Sequence, residues 1–223
     1  MSGASPGFAL AIVGAGRRGG QVAMSCCPGR AGPVLLPNSG QRFLERDVAT
    51  IARWGAQALV TLLDERELGR LRLAGLPTLL SAAGVAWHHV PMHAQSDPDE
   101  RFEQAWARFA PGLRTVLLHG GKLAIHCRDG MSRTGVVTAR LLVEIGCPTQ
   151  DALNRVRAAR PGCVSHPAQE RYLRAQAPVI HAEDDAEFDL FPDERLAAAG
   201  WSPNPNVVQL APSRARAGKH RQP

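Results

Sequence analysis

The stretch richest in chemistry is Ile125-His126-Cys127-Arg128-Asp129-Gly130-Met131-Ser132-Arg133-Thr134-Gly135. It sets a cysteine and an arginine apart by five residues, between an apolar run that reads as a strand and one that reads as a helix. A loop that ends in a helix N-terminus turns successive backbone N–H groups toward its centre and favours an anion there. With Arg133 beside it, such a cradle stabilises a thiolate at Cys127 and lowers its pKa from the ~8.5 of a free thiol. The same cradle, built from Arg128, Asp129, Gly130, Met131 and Ser132, fits the non-bridging oxygens of a phosphate. Arg133 adds a planar bidentate fork that a lysine could not copy. The implied chemistry is attack of Cys127 on phosphorus to give a phosphocysteine intermediate. Thr134 is placed to hydrogen-bond the sulfur and ease its departure when water cleaves that intermediate.

Elements must deliver this loop, and the periodicity predicts an alternation of strands and helices. Strands are expected at 8–13, 58–63, 85–90 and 123–126, and helices at 43–54, 76–83, 133–145, 149–159 and 168–180. Cys26-Cys27-Pro28-Gly29 must be a turn. Asp97-Pro98-Asp99-Glu100 reads as a helix start with Asp97 as N-cap and Pro98 in the first turn. That helix is expected to run to about residue 109, before Pro111, with a shorter segment continuing to 118. The alternation implies an α/β fold with a central, mostly parallel sheet flanked by helices. Residues 1–182 are expected to form one domain and 183–223 an appendage. The appendage is acidic at first, with seven carboxylates in 183–194, and basic at its end, with at most a short helix near 194–199.

The loop resembles the signature of the cysteine-dependent protein tyrosine and dual-specificity phosphatases, His-Cys-x5-Arg followed by Ser or Thr and often Gly. The resemblance extends over about residues 25–175. Cys27-Pro28-Gly29, Leu35-Leu36-Pro37, Val60-Thr61-Leu62-Leu63-Asp64-Glu65-Arg66-Glu67-Leu68 and His88-His89-Val90-Pro91-Met92 look like the kinase-associated phosphatase branch and its bacterial relatives. It implies a dual-specificity-phosphatase-like fold, hydrolysis of phosphate monoesters, no metal or organic cofactor, and a phosphorylated protein or other phosphate monoester as partner. Gly162 to Tyr172 is similar to a late glutamine-bearing segment of that branch. Gln169 stands where a glutamine orients the hydrolytic water, and Ser165 replaces a second glutamine.

One departure matters for mechanism. Phosphomonoester cleavage uses a general acid to protonate the leaving oxygen. The branch has an aspartate three residues after the proline of its His-His-x-Pro strand, and this chain has Ala94. Asp97, His93 and Asp64 are the substitutes, with Asp97 favoured although it also reads as a helix cap. Asp129 would oppose a bound dianion unless it points outward, for instance toward Arg128. A similar Cys-x-Asp-Gly-x-x-Arg-Thr pattern occurs in myotubularin-type phosphoinositide phosphatases. That keeps a phosphoinositide substrate open, and the altered acid keeps open a phosphate-binding module without turnover.

Composition closes off other classes. The 223 residues are 44% hydrophobic and 21% charged, as in a globular protein. No apolar run approaches the ~20 residues of a membrane span. Five cysteines, two of them adjacent, favour free thiols and a cytoplasmic location over a disulfide framework. Net charge is +6, and all basic residues except Lys122 and Lys219 are arginines, which points to anionic partners. The basic tail lacks interleaved aromatics, so nucleic acid is not expected, and oligomeric state is not legible. Gly14-Ala15-Gly16-Arg17-Arg18-Gly19 matches a dinucleotide fingerprint. Its helix context fails, and a flexible loop is the expected form.

Overall fold

The computed structural model describes residues 8–30, 39–93 and 98–180. Five strands form one sheet in the order β1-β2-β5-β3-β4. They are β1 (Ala11–Ala15), β2 (Gly20–Ser25), β3 (Ala58–Thr61), β4 (Ala86–His89) and β5 (Lys122–His126). Only the β1–β2 pair is antiparallel, and the other three pairs are parallel. Among the described residues seven helices accompany them: α1 (Ser39–Trp54), α2 (Glu65–Arg70), α3 (Leu76–Ala82), α4 (Glu100–Leu118), α5 (Ser132–Glu144), α6 (Thr149–Ala159) and α7 (Pro167–Arg174). The expected α/β class, with a mostly parallel sheet between helices, is what the chain forms.

The central strands are buried on both faces. Val22, Met24, Ala58, Val60, Leu123 and Ile125 share one core with α4, α5 and α6. Ala23, Leu59 and Ala124, the alternate residues of the same strands, share the other core with α1 and α3. This two-sided burial is why β3 and β5 read as continuous apolar runs.

Several boundaries differ from expectation for identifiable reasons. The first strand is shifted to Ala11–Ala15, and the glycine-rich run after it is a hairpin turn, not a flexible loop. Ala15 pairs with Gly20, while Gly16 and Gly19 have φ of 71° and 80°. No helix follows the glycines, so the dinucleotide reading is excluded. The second hairpin strand, β2, was hidden by its turn-like glycine and arginine neighbours. The short helix α2 was also missed, and Asp64 is its N-cap instead of a loop residue. The cap of α4 is Asp99, whose Oδ1 accepts from Phe102 N at 2.9 Å, and Pro98 precedes that cap. The expected cap, Asp97, lies outside the described residues, as do 183–223. Pro111 does not interrupt α4. The helix runs on because Phe102, Trp106, Ala110, Leu113 and Leu117 form one buried stripe at helical spacing. The last helix ends at Arg174, and the chain hooks back so that Val179 and Ile180 N–H reach Glu144 O at 2.9 and 3.0 Å.

Two buried polar groups tie these elements together. Glu144 accepts from Trp106 Nε1 (2.7 Å), Arg114 Nη1 (2.6 Å) and Arg140 Nε (2.8 Å), locking α4 to α5. His126, wholly buried at the end of β5, has its Nε2 2.8 Å from Thr61 Oγ1, which also accepts from Trp87 Nε1 at 2.8 Å. The Thr61 hydroxyl therefore donates to Nε2, leaving the proton on Nδ1 to reach Cys127 O at 3.2 Å. Burial pushes His126 down to about 4.

Between that value and the ~6.5 of an unfolded histidine, the unfolded chain binds more protons, so stability falls as pH falls. Denaturant titration should show His126 costing about 2 kcal/mol of stability between about pH 7 and 5, with a smaller loss in His126→Gln. Glu144→Ala takes their shared anion from the buried Arg140 and the half-buried Arg114 and should cost about 3–5 kcal/mol in the same assay.

Candidate active site

Cys127 leaves the sheet from a strand held between two parallel neighbours. His126 pairs with Ser25 of β2 on one side and Thr61 of β3 on the other. The chain therefore emerges at the carboxyl ends of three parallel strands, where open α/β sheets offer a crevice. Residues 127–131 turn sharply and feed α5 at Ser132. The turn depends on Gly130, which has φ of 70°. A Cβ there would lie 2.3 Å from Ser25 O and 2.6 Å from Cys26 N, so only glycine fits against the end of β2. Gly130 N donates to Cys127 Sγ at 3.2 Å.

The carbonyl oxygens of this loop are answered from outside it. Cys127 O faces His126 Nδ1, and Arg128 O accepts from Cys27 N (3.2 Å) and Arg30 Nη1 (2.9 Å). Asp129 O accepts from Arg160 Nη2 at 3.0 Å, and Met131 O from Gly135 N at 2.9 Å. The Asp129 carboxylate turns outward, as its charge required. Its main partner is Arg30, with Arg128 Nε farther off at 3.7 Å. Arg160 also reaches Met131 Sδ and Met24 O, so it braces the loop.

Arg133 is buried, and its end-on fork is already occupied. Nη1 and Nη2 donate to Glu67 Oε2 and Oε1 at 2.5 and 2.8 Å. Nη1 also donates to Leu62 O (3.3 Å) and Met92 O (3.1 Å). Sequence reasoning missed Glu67. Its signal was the capping box that opens α2, in which Asp64 Oδ1 accepts from Glu67 N and Glu67 Oε2 accepts from Asp64 N. Burial alone would raise the Glu67 carboxyl. The hydrogen bonds from Arg133 and Asp64 N override it and hold Glu67 below the ordinary glutamate value. Burial would likewise lower Arg133, and the Glu67 contact holds it above the usual arginine value.

Thr134 Oγ1 is buried with no hydrogen-bond partner among the described residues, so the expected bond to the sulfur is not made. Gly135 packs tightly, with its Cβ position 3.0 Å from Cys163 Cβ. Gln169 at the start of α7 donates to Ser132 Oγ, which places it against the loop. The neighbouring thiols Cys26, Cys27 and Cys163 are raised mainly by burial, Cys163 to about 11. All five cysteines are free.

Beside the loop lies an open cavity of about 640 Å³ bordered by Arg128, Glu67 and Met92. Asp64 and the exposed His93 line it, so two of the three acid candidates border the cavity. The third, Asp97, and Ala94 lie outside the described residues. Among the described residues no three His, Cys, Asp or Glu side chains cluster as metal ligands. No helix among them is long and apolar enough to cross a membrane.

A family model described as "Polymorphic toxin system, DSP-PTPase phosphatase" matches residues 39–147, which include Cys127 and Arg133. Cyclin-dependent kinase inhibitor 3 of Rattus norvegicus is 27% identical over 136 residues, covering 60% of this chain and 63% of that protein. Tyrosine-protein phosphatase CDC14 of Saccharomyces cerevisiae is 36% identical over 62 residues, 27% of this chain and 11% of that one. The chain thus spans less than two thirds of either relative. Among solved structures, kinase-associated phosphatase with its catalytic-site cysteine replaced by serine superposes with a TM-score of 0.62 at 20% identity. It covers 84% of this chain and 98% of that one. The active form of Tk-PTP gives 0.52 at 25% identity, over 72% and 94%. Sequence relatives and fold converge on one likeness: the chain is similar to the cysteine-dependent protein tyrosine and dual-specificity phosphatases.

Proposed function

We propose that this protein hydrolyses phosphate monoesters through a phosphocysteine at Cys127. The observation that carries the reading is the loop itself: Cys127 Sγ accepts from Gly130 N inside a turn whose carbonyl groups are drawn outward by Arg30, Arg160 and Cys27 N. Drawing carbonyl oxygens out of a turn favours N–H groups facing in, the arrangement an oxyanion needs. Glu67 takes the end-on fork of Arg133, which leaves the side-on pair, Nε–H and the second Nη2–H, for phosphate.

The Cys127 thiolate attacks phosphorus, the S–P bond forms and the ester P–O bond breaks. The leaving oxygen takes a proton from a general acid, for which Asp97 is the favoured group and His93 the second. Asp64 is disfavoured because its carboxylate caps α2. Water, oriented by Gln169, then attacks phosphorus. The S–P bond breaks, inorganic phosphate leaves and the thiolate is restored. The unpartnered Thr134 hydroxyl supports a role in donating to the departing sulfur. Glu67 is a positioning residue, since it acts on phosphate only through Arg133. The similarity to a tyrosine-protein phosphatase supports a phosphorylated protein as substrate, and five free thiols favour a reducing location such as the cytoplasm.

Steady-state hydrolysis of an aryl phosphate across pH tests this reading. Cys127→Ser should abolish turnover, and undiminished activity would end the mechanism. Asp97→Ala should lower kcat about 10²-fold and remove the basic limb of its pH profile, with His93→Ala close to wild type. If neither does so, aryl phosphates should be cleaved far better than alkyl ones, because a leaving group of pKa ~10 needs protonation less. Glu67→Gln keeps the shape and removes the charge. It should raise KM and the phosphate inhibition constant several-fold, with a smaller change in kcat, as expected of a residue that orients Arg133.

A further inference from the structure

The cavity beside the phosphate loop is lined by Arg66 and Arg70 of α2, Arg101 of α4 and Arg128 of the loop. Arg66, Arg70 and Arg101 are exposed, and none has an ion pair or hydrogen bond among the described residues. The helix dipole favours Arg70 in the last turn of α2, but other features of their placement work against local stability. Arg66 and Arg70 are four residues apart on one helix and repel one another. Arg101 sits in the first turn of α4, where the helix dipole disfavours a cation. Three such arginines around one cavity call for an anion that no described residue supplies.

The same cavity holds four carboxylates, and these decide what kind of anion fits. Glu67 is bound to Arg133, while Asp64 and Asp99 accept backbone N–H groups at the starts of α2 and α4. Glu65 is exposed at the start of α2. Acids interleaved with the arginines repel a compact polyphosphate, whose charge is dense on every side. A peptide can set separated carboxylates against the arginines and turn its own N–H groups toward the acids. Few apolar residues, Leu71, Pro91 and Met92, line the cavity, which gives no basis for selecting large apolar flanks.

We propose that this cavity selects phosphoprotein segments with acidic residues flanking the phosphorylated side chain, through Arg66, Arg70 and Arg101. The inference rests on the phosphatase reading of the loop, and it names the substrate class of that site. Direct binding tests it without turnover. Fluorescence anisotropy is measured on the full chain carrying Cys127→Ser, with labelled phosphotyrosine peptides flanked by glutamate, alanine or lysine. The glutamate peptide should bind about tenfold more tightly than the alanine one in low salt. Its advantage should shrink at about 0.5 M NaCl, where exposed charges are screened. Adding Arg66→Ala, Arg70→Ala and Arg101→Ala together should bring the ratio to about one, and Arg101→Glu alone should shift preference toward the lysine peptide. Equal binding of the three peptides, or a preference for lysine flanks in the parent protein, overturns the proposal. Stronger competition by inositol trisphosphate than by the glutamate peptide also overturns it, by assigning the arginines to a polyphosphate. Turnover of an aryl phosphate by the wild type is read separately, so failure of the phosphatase reading is distinguishable from failure of this one.

Discussion

A loop can turn its N–H groups toward one point only if its carbonyl oxygens find partners on the other side. Here that constraint organises much of the molecule. Cys127 O is met by His126, Arg128 O by Arg30 and Cys27 N, Asp129 O by Arg160, and Met131 O by the first turn of α5. Each donor comes from a different part of the chain: the end of β5, the turn after β2, the C-terminus of α6 and α5 itself. An unmet buried carbonyl such as that of Cys127 costs about 1–3 kcal/mol, whereas the exposed bonds from Arg30 and Arg160 fix the direction of their carbonyls. The three parallel strands around it serve to bring those partners to one edge.

Arg133 extends the same logic to the other side of the site. Its guanidinium joins the end of β3 through Leu62 O, the start of α2 through Glu67, and the segment after β4 through Met92 O. Glu67 is presented by the capping box that begins α2, so a local helix signal also sets the long-range ion pair. Glu67 thereby compensates a buried cation that would otherwise be costly before any ligand arrives.

The strand, loop and helix around Cys127 were legible because they are local. An apolar run, a cysteine, a glycine and an arginine at fixed spacing carry the geometry within eleven residues. The α/β alternation was legible for the same reason. What escaped were contacts with no periodicity. Arg30 lies 98 residues before Arg128, and Glu67 lies 66 before Arg133, so neither pairing leaves a pattern in either segment. The strand β2 escaped because its flanks, Gly19-Gly20 and Cys26 to Gly29, carry turn signals that outweighed four buried residues between them. Pro111 was read as a break because propensity argues so, and the buried stripe of α4 overrides it.

Arg133 also answers to two anions. The Glu67 carboxylate holds the end-on face of the guanidinium and a phosphate in the loop would take the side-on face, so the first contact aims the donors that the second needs. The same side chain holds the Met92 carbonyl, at the root of the segment that leads through Ala94 to Asp97. Phosphate and the Met92 backbone thus meet at one guanidinium, and any coupling between them is reciprocal. A substitution that shifts the Met92 backbone would be felt as a change in phosphate affinity, although Met92 itself need never touch the phosphate.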